Sequence, residues 1–106
     1  MGQNKSELLT VLSELIALYE KHGFDHWKSW IKAAKNEIED NNFNGIERLL
    51  SAYGGMGSIN DSYFAKKGWW SKRLIDEKQD NEKLSNLLSK AHKLATALKR
   101  VFEDDT

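Results

Sequence analysis

The sequence contains neither cysteine nor proline, and each absence restricts what the chain can be. Without cysteine there are no disulfides, no thiolate metal ligands and no cysteine nucleophile. Without proline, glycine and asparagine are the residues expected to form the turns, which fits helices joined by short connections. The sequence also lacks an apolar run approaching the roughly 20 residues of a membrane span, and its first six residues lack the basic and apolar regions of a signal peptide. We therefore expect a cytoplasmic protein with no membrane span.

The sequence also lacks an excess of positive or negative charge, because its formal net charge is zero. The charges are unevenly placed: residues 1–61 carry a net charge of −3 and residues 62–106 a net charge of +3. This asymmetry is too small to indicate nucleic-acid binding by itself. At 106 residues, the chain is expected to form a single domain over residues 1–106.

Apolar residues at three- and four-residue spacing predict three helices in the first half of the chain. The first is expected over residues 5–22, and its buried stripe comprises Leu8, Leu12, Leu15, Ile16 and Tyr19. Gly23 should end it. The second is expected over residues 26–41 and ends at Asn41 and Asn42; its apolar face comprises Trp27, Trp30, Ile31, Ala34 and Ile38. The third begins at Asn44 and carries Ile46, Leu49, Leu50 and Tyr53.

Helix-capping residues set the predicted starts of these three helices. Asn4 with Glu7, and Asn44 with Glu47, have the spacing of a capping box. Asp25 is placed to be the N-cap of the second helix.

The last helix has the clearest pattern, and we expect it to be capped by Asp80 or Asn81. Its heptad-like stripe comprises Leu84, Leu87, Leu88, Ala91, Leu94, Ala95, Leu98, Val101 and Phe102. Such a stripe packs into a bundle core or, as an alternative, forms a homodimeric coiled coil. Residues 62–79 have poor periodicity, and a short separate helix is expected over residues 69–78. The fold class predicted is all-α: a bundle of four to five helices with a glycine-rich connecting loop.

That loop is the first candidate functional surface. Three glycines, Gly54, Gly55 and Gly57, fall within four residues, which indicates a shaped turn. The spacing matches neither a P-loop nor a dinucleotide-binding loop. The loop is expected to have Ser58, Asn60 or Asp61 capping the next segment, and to present to a partner Met56, Ile59, Asn60 and Asp61.

The second candidate surface mixes basic residues with tandem tryptophans, in Lys66, Lys67, Trp69, Trp70, Lys72 and Arg73. Adjacent residues on a helix project about 100° apart, so Trp69 and Trp70 cannot both face one core. Exposed tryptophan beside arginine and lysine is typical of protein interfaces and of single-strand nucleic-acid platforms. Simple packing of both rings is the alternative.

The sequence gives little reason to expect an enzyme. His22 and His26 are four residues apart, but Gly23 and Asp25 should break the helix that a paired metal site needs. No nucleophile elbow is present. We expect no catalytic residues, no metal and no cofactor.

Several of these residues together resemble a known family. The chain resembles a small bacterial family of unknown function with a GGMGSxND-like signature. The resemblance lies in three motifs in order: His26-Trp27-x-x-Trp30, then Ile46-x-x-Leu49-Leu50-x-x-Tyr53, then the segment from Gly54 to Asp61. The resemblance covers residues 7–61 well and residues 80–102 by pattern. It implies a bacterial, cytoplasmic, mostly helical protein, and it implies no activity.

The function expected is therefore protein binding. Its sharpest version is an immunity or antitoxin-like protein that covers a toxin's surface. The alternatives are a nucleic-acid-associated binder using the patch from Lys66 to Arg73, and a small enzyme with a site near Ser58 to Asp61.

Overall fold

Four α-helices make up nearly all of the structure, a computed structural model that describes residues 2–54, 58–59 and 71–104. Side chains are described for residues 3–54, 58–59 and 78–101. No strand occurs in these ranges, so the all-α prediction is confirmed. The helices are α1 (Gly2–Lys21), α2 (Asp25–Glu39), α3 (Asn44–Ser51) and α4 (Ser71–Asp104).

The turn from α1 to α2 is closed by a glycine, as the sequence predicts. Gly23 has a φ of +73°, which a residue without Cβ adopts at little cost. The Phe24 amide donates to the Tyr19 carbonyl over 2.8 Å, and the Gly23 amide donates to Glu20 over 3.2 Å. The Phe24 ring also stacks on the Tyr19 ring. This is the Schellman arrangement with its hydrophobic contact, and it fixes the direction in which α2 leaves α1.

The end of α2 repeats this arrangement with an asparagine in place of glycine. Asn41 has a φ of +60°, and its amide donates to Ile38 over 3.0 Å. The next amide, that of Asn42, donates to Glu37 over 2.8 Å. Lys5 Nζ donates to Asn41 Oδ1 over 2.6 Å, which joins the start of α1 to the end of α2. α1 and α2 therefore run antiparallel, and a cation lies at the negative end of the α2 dipole.

The core is built from one face of every helix. From α1 it takes the predicted stripe together with Val11 and Leu18, and Leu8, Leu12, Leu15 and Tyr19 are fully buried. The α4 contribution is most of the predicted heptad-like stripe: Leu84, Leu87, Leu88, Ala91, Ala95 and Leu98. Since these residues pack inside the chain's own core, most of the stripe is not exposed to form a homodimeric coiled coil.

Three predicted N-caps are wrong, because each of these residues lies within its helix rather than just before it. Asn4 lies inside α1, which begins at Gly2. Asp25 is the first residue of α2 rather than its cap, and there it still offers a carboxylate to the positive end of the dipole. Asn44 is likewise the first residue of α3, and its amide donates to Asn42 Oδ1 over 3.0 Å.

The predicted helix break at Asp80 is also wrong. The helix runs unbroken from Ser71, so the separate helix expected over residues 69–78 is, from Ser71 onward, the beginning of α4. Asp80 does not cap its own helix because its carboxylate is bound elsewhere: Oδ2 lies 2.9 Å from Lys21 Nζ and 2.7 Å from His22 Nε2. The side chain joins α4 to the end of α1.

One glycine is required for packing rather than for a turn. Gly45, near the start of α3, is buried against α2. A Cβ at this position would lie 2.7 Å from the Ala34 carbonyl oxygen and 2.8 Å from both Glu37 Cβ and Ile38 Cγ1. Carbon atoms do not approach backbone this closely, so any side chain here would push α3 away from α2.

We predict that Gly45→Ala lowers the free energy of unfolding by about 1–3 kcal/mol, the usual cost of overpacking. The loss should appear even though alanine favours helix over glycine by about 1 kcal/mol. Urea unfolding followed by circular dichroism measures it. Glu47→Ala, at an exposed position of the same helix, is the control and should change stability by less than about 0.5 kcal/mol. Equal stability of Gly45→Ala and the wild type would show that α2 and α3 are not held this close.

Candidate functional site

An aromatic cluster on α2 is the most distinctive surface among the described residues. His26, Trp27 and Trp30 lie on neighbouring positions of the helix. The Trp27 and Trp30 rings meet edge to face with centroids 6.0 Å apart, and the His26 ring meets Trp27 in the same way at 4.6 Å. His26 is exposed, and both tryptophans are half-buried. The cluster therefore offers indole surface to solvent beside the packed core.

The position of Trp30 is fixed by the next helix. Its Nε1–H donates to the Arg48 carbonyl oxygen over 3.0 Å, so the polar edge of the indole is already satisfied. Arg48 is held in turn by an ion pair with Glu37. What Trp30 still exposes is apolar ring surface.

The predicted glycine loop is described only at its two ends. Gly54 has a φ of +90°, which supports a conformational reason for glycine at that position. At the other end, the Ile59 amide donates to the Ala52 carbonyl over 2.8 Å, so the chain returns against the end of α3. Ile59 is fully buried and Ser58 is buried. Ile59 therefore packs in the core, and its side chain is not on the surface where we expected a partner to bind.

The other predicted contact residues lie outside what the structure describes. Lys72 and Arg73 belong to α4, but their side chains are outside the described part. For the remaining predicted residues, both backbone and side chain lie outside the described part: Gly55, Met56, Gly57, Asn60, Asp61, Lys66, Lys67, Trp69 and Trp70. Their roles stay predictions, and so does the glycine-rich character of the connecting loop.

His22 and His26 lie on either side of the turn between α1 and α2 and so do not share one helix. His22 follows the end of α1, whereas His26 is on α2, and Gly23 separates the two helices. His22 instead joins Lys21 and Asp80 in a cluster of three charged or polar side chains. Across the described ranges, no three histidine, aspartate or glutamate side chains are grouped so as to hold a metal ion. No helix in these ranges has both the length and the apolar character needed to cross a bilayer.

The comparisons with known proteins find a match to a family model over part of the chain, and that family has no assigned activity. Residues 20–68, just under half of the chain, match the model of a family described as a domain of unknown function (DUF6966). This agrees with the expected resemblance to an uncharacterised family. No curated protein and no solved structure matches the chain. The matched residues include the aromatic cluster, all of α2 and α3, and the segment from Gly54 to Asp61.

Sequence reasoning assigned Trp27 and Trp30 to the core and so missed the aromatic cluster as a surface. Their three-residue spacing did indicate a shared face with Ile31 and Ala34, which are fully buried. The signal that distinguishes them is size: two indoles near the start of a 15-residue helix exceed what a core of this size can cover.

The Asp80 cluster gives a prediction about acid stability. Hydrogen bonds from Lys21 and His22 hold the pKa of the Asp80 carboxyl below its ordinary value. A lowered pKa means that the stabilisation is complete above the pKa of an unfolded aspartate, about 3.9, and is lost as pH falls through the lower folded pKa. We expect Asp80→Asn to cost about 1 kcal/mol or less at pH 7, because solvent screens such pairs.

Urea unfolding at pH 7 and at about pH 2.5 checks this, since the difference between Asp80→Asn and the wild type should shrink at the lower pH. Glu14→Gln, at an exposed position on α1, is the matched control and should have little effect at pH 7. A difference that stays the same at both pH values would mean that Asp80 acts through packing rather than through its charge.

Proposed function

We propose that this chain is a protein-binding module whose contact surface includes the aromatic cluster of His26, Trp27 and Trp30. The observation that carries the proposal is the edge-to-face tryptophan pair, which the chain's own helices cover only in part. The Trp30 N–H is already bonded to the Arg48 carbonyl, so the exposed ring surface gains nothing from water. A partner that covered it would remove apolar area from solvent.

The chemistry of the surroundings supports a protein as the partner. Tryptophan and arginine are enriched among the interface residues whose substitution by alanine weakens protein–protein binding most. Here the Arg48 carbonyl accepts a hydrogen bond from Trp30. Arg48 is held by Glu37, so its position is set before any partner arrives. A preordered surface loses less conformational entropy on binding than a mobile one.

The sharper form of the proposal is a bacterial, cytoplasmic immunity or antitoxin-like protein that neutralises a toxin by covering its surface. Its support is analogy of size and helical build, together with the match of residues 20–68 to an uncharacterised family. We also propose that the segment Gly54 to Asp61 is a GGMGSxND-like signature of that family, and that the glycine-rich loop and Trp69 and Trp70 extend the contact surface.

The test is to capture a partner from lysate of the native host with the tagged wild-type chain, purify it, and measure binding by calorimetry. Trp30→Ala should weaken binding by about 2 kcal/mol, on the order of 30-fold. Since Trp30 also bonds α3, a second variant leaves both indoles in place: Ala33→Glu puts a charge at a half-buried position one turn from Trp30, and thermal unfolding checks that it stays folded. It should weaken binding at least about tenfold without changing the thermal midpoint.

The matched control is Ala17→Glu, the same substitution at an exposed position on α1, and its affinity should equal that of the wild type. Equal affinity of Ala33→Glu and Ala17→Glu would remove the aromatic cluster from the interface. Capture that disappears after nuclease treatment would favour the nucleic-acid alternative. If the captured protein does not inhibit growth when expressed alone, the antitoxin version fails, although protein binding itself stands.

A further inference from the structure

A groove on α4, away from the aromatic cluster, has no role in the proposed function. It has a volume of about 690 Å³ and is lined by residues from Lys78 to Lys93 of α4 and by Tyr53, which follows α3. Lys78 and Lys93 are fifteen residues apart, which is about 22 Å along the helix axis. Sites for small organic ligands commonly measure about 300–1,000 Å³, so the groove is large enough for one.

The floor of the groove is apolar and rigid. Leu84 and Leu88 line it and are nearly covered by the rest of the core. The Tyr53 hydroxyl donates to the Leu88 carbonyl over 2.7 Å, which holds the phenol ring against α4. The His92 ring meets the Tyr53 ring edge to face at 4.9 Å. Because the two leucines are nearly covered, the surface on which a flat apolar group could lie is chiefly the half-buried Tyr53 ring, whose position its hydrogen bond to Leu88 already sets.

The helix leaves room above that floor because Ser85 and Ser89, one turn apart, have small side chains. Their hydroxyls are exposed and can each donate or accept one hydrogen bond with a ligand. Larger residues at these two positions would fill the space that they leave.

The charges along the groove are uneven. Lys78 and Glu82 are one turn apart near one end, where their fields partly cancel. At the other end lie Lys93 and His92. The acid among the described lining residues, Glu82, is eleven residues, or about 16 Å along the helix axis, from Lys93. In the part of the chain that the structure describes, Lys93 forms none of the ion pairs. An anion at this end would meet the Lys93 ammonium and, one turn back, the Ser89 hydroxyl.

From this arrangement we propose that the groove is a binding site for a small organic anion, with a flat apolar body against the Tyr53 ring and an anionic group held by Lys93 and Ser89. The groove is separate from the aromatic cluster, because its residues are on α4 and at Tyr53 whereas the cluster is on α2.

The probe for this proposal is 8-anilinonaphthalene-1-sulfonate, which carries fused and single rings with one sulfonate and fluoresces when its rings leave water. The full chain should bind it saturably at one site. N-phenyl-1-naphthylamine, the same ring system without the sulfonate, should bind at least about tenfold more weakly, because it lacks the charge-assisted bond to Lys93.

Two variants locate the site, and one controls for overall charge. Lys93→Glu should weaken binding of the sulfonate probe at least about tenfold. Ser85→Trp should abolish binding by filling the groove. Lys90→Glu makes the same charge change at an exposed α4 position outside the lining, and should alter affinity less than about twofold. Thermal unfolding confirms that each variant is folded, since this probe also binds unfolded apolar surface.

Any of four results would overturn the proposal: no saturable binding, equal binding of the uncharged analogue, equal losses in Lys93→Glu and Lys90→Glu, or full binding by folded Ser85→Trp. None of them would bear on partner capture through Trp30, so failure of this site and failure of the proposed function are separate outcomes.

Discussion

Burial of the apolar stripe of α1 is the interaction on which the rest of this structure depends. Leu8, Leu12, Leu15 and Tyr19 are fully buried, and α1 packs against both α2 and α4. Covering each of these side chains contributes about 1.5–3 kcal/mol relative to exposure. Neither α2 nor α4 alone covers the whole stripe, so both have to be brought back onto α1. The turns and cross-links described above are the devices that do so.

Those devices differ in how far apart in sequence their partners lie, and this decides what could be predicted. The turns at Gly23 and Asn41 are local, because each satisfies carbonyls of the helix just before it. The sequence therefore predicts both helix ends. Stripe periodicity is local as well, and the buried residues of α1 and α4 follow it.

Apart from the three misplaced helix caps, which are local, what the sequence did not predict involves partners far away in the chain. Asp80 has the residue type of a helix cap, but Lys21 and His22 bind its carboxylate from the other side of the molecule, and α4 continues through it. Gly45 is unremarkable in sequence, and only the packing of α3 on α2 shows that a methyl group would collide there. Trp27 carries the spacing of a core residue, yet it is only half-buried, because its burial depends on how the other helices pack around α2. Non-local geometry of this kind leaves no local pattern.

The length of α4 has a consequence for how the protein is made. Its 34 residues span about 51 Å, nearly the longest dimension of the molecule, 54 Å. It is synthesised after α1, α2 and α3, and it supplies about a third of the buried apolar side chains among those that the structure describes. On the ribosome, α1 to α3 emerge first with one side of the α1 stripe uncovered. Until α4 follows, the nascent chain exposes a hydrophobic surface that chaperones bind and proteases recognise. Nonsense mutations within α4 should therefore deplete the protein from cells by degradation before they affect any binding surface.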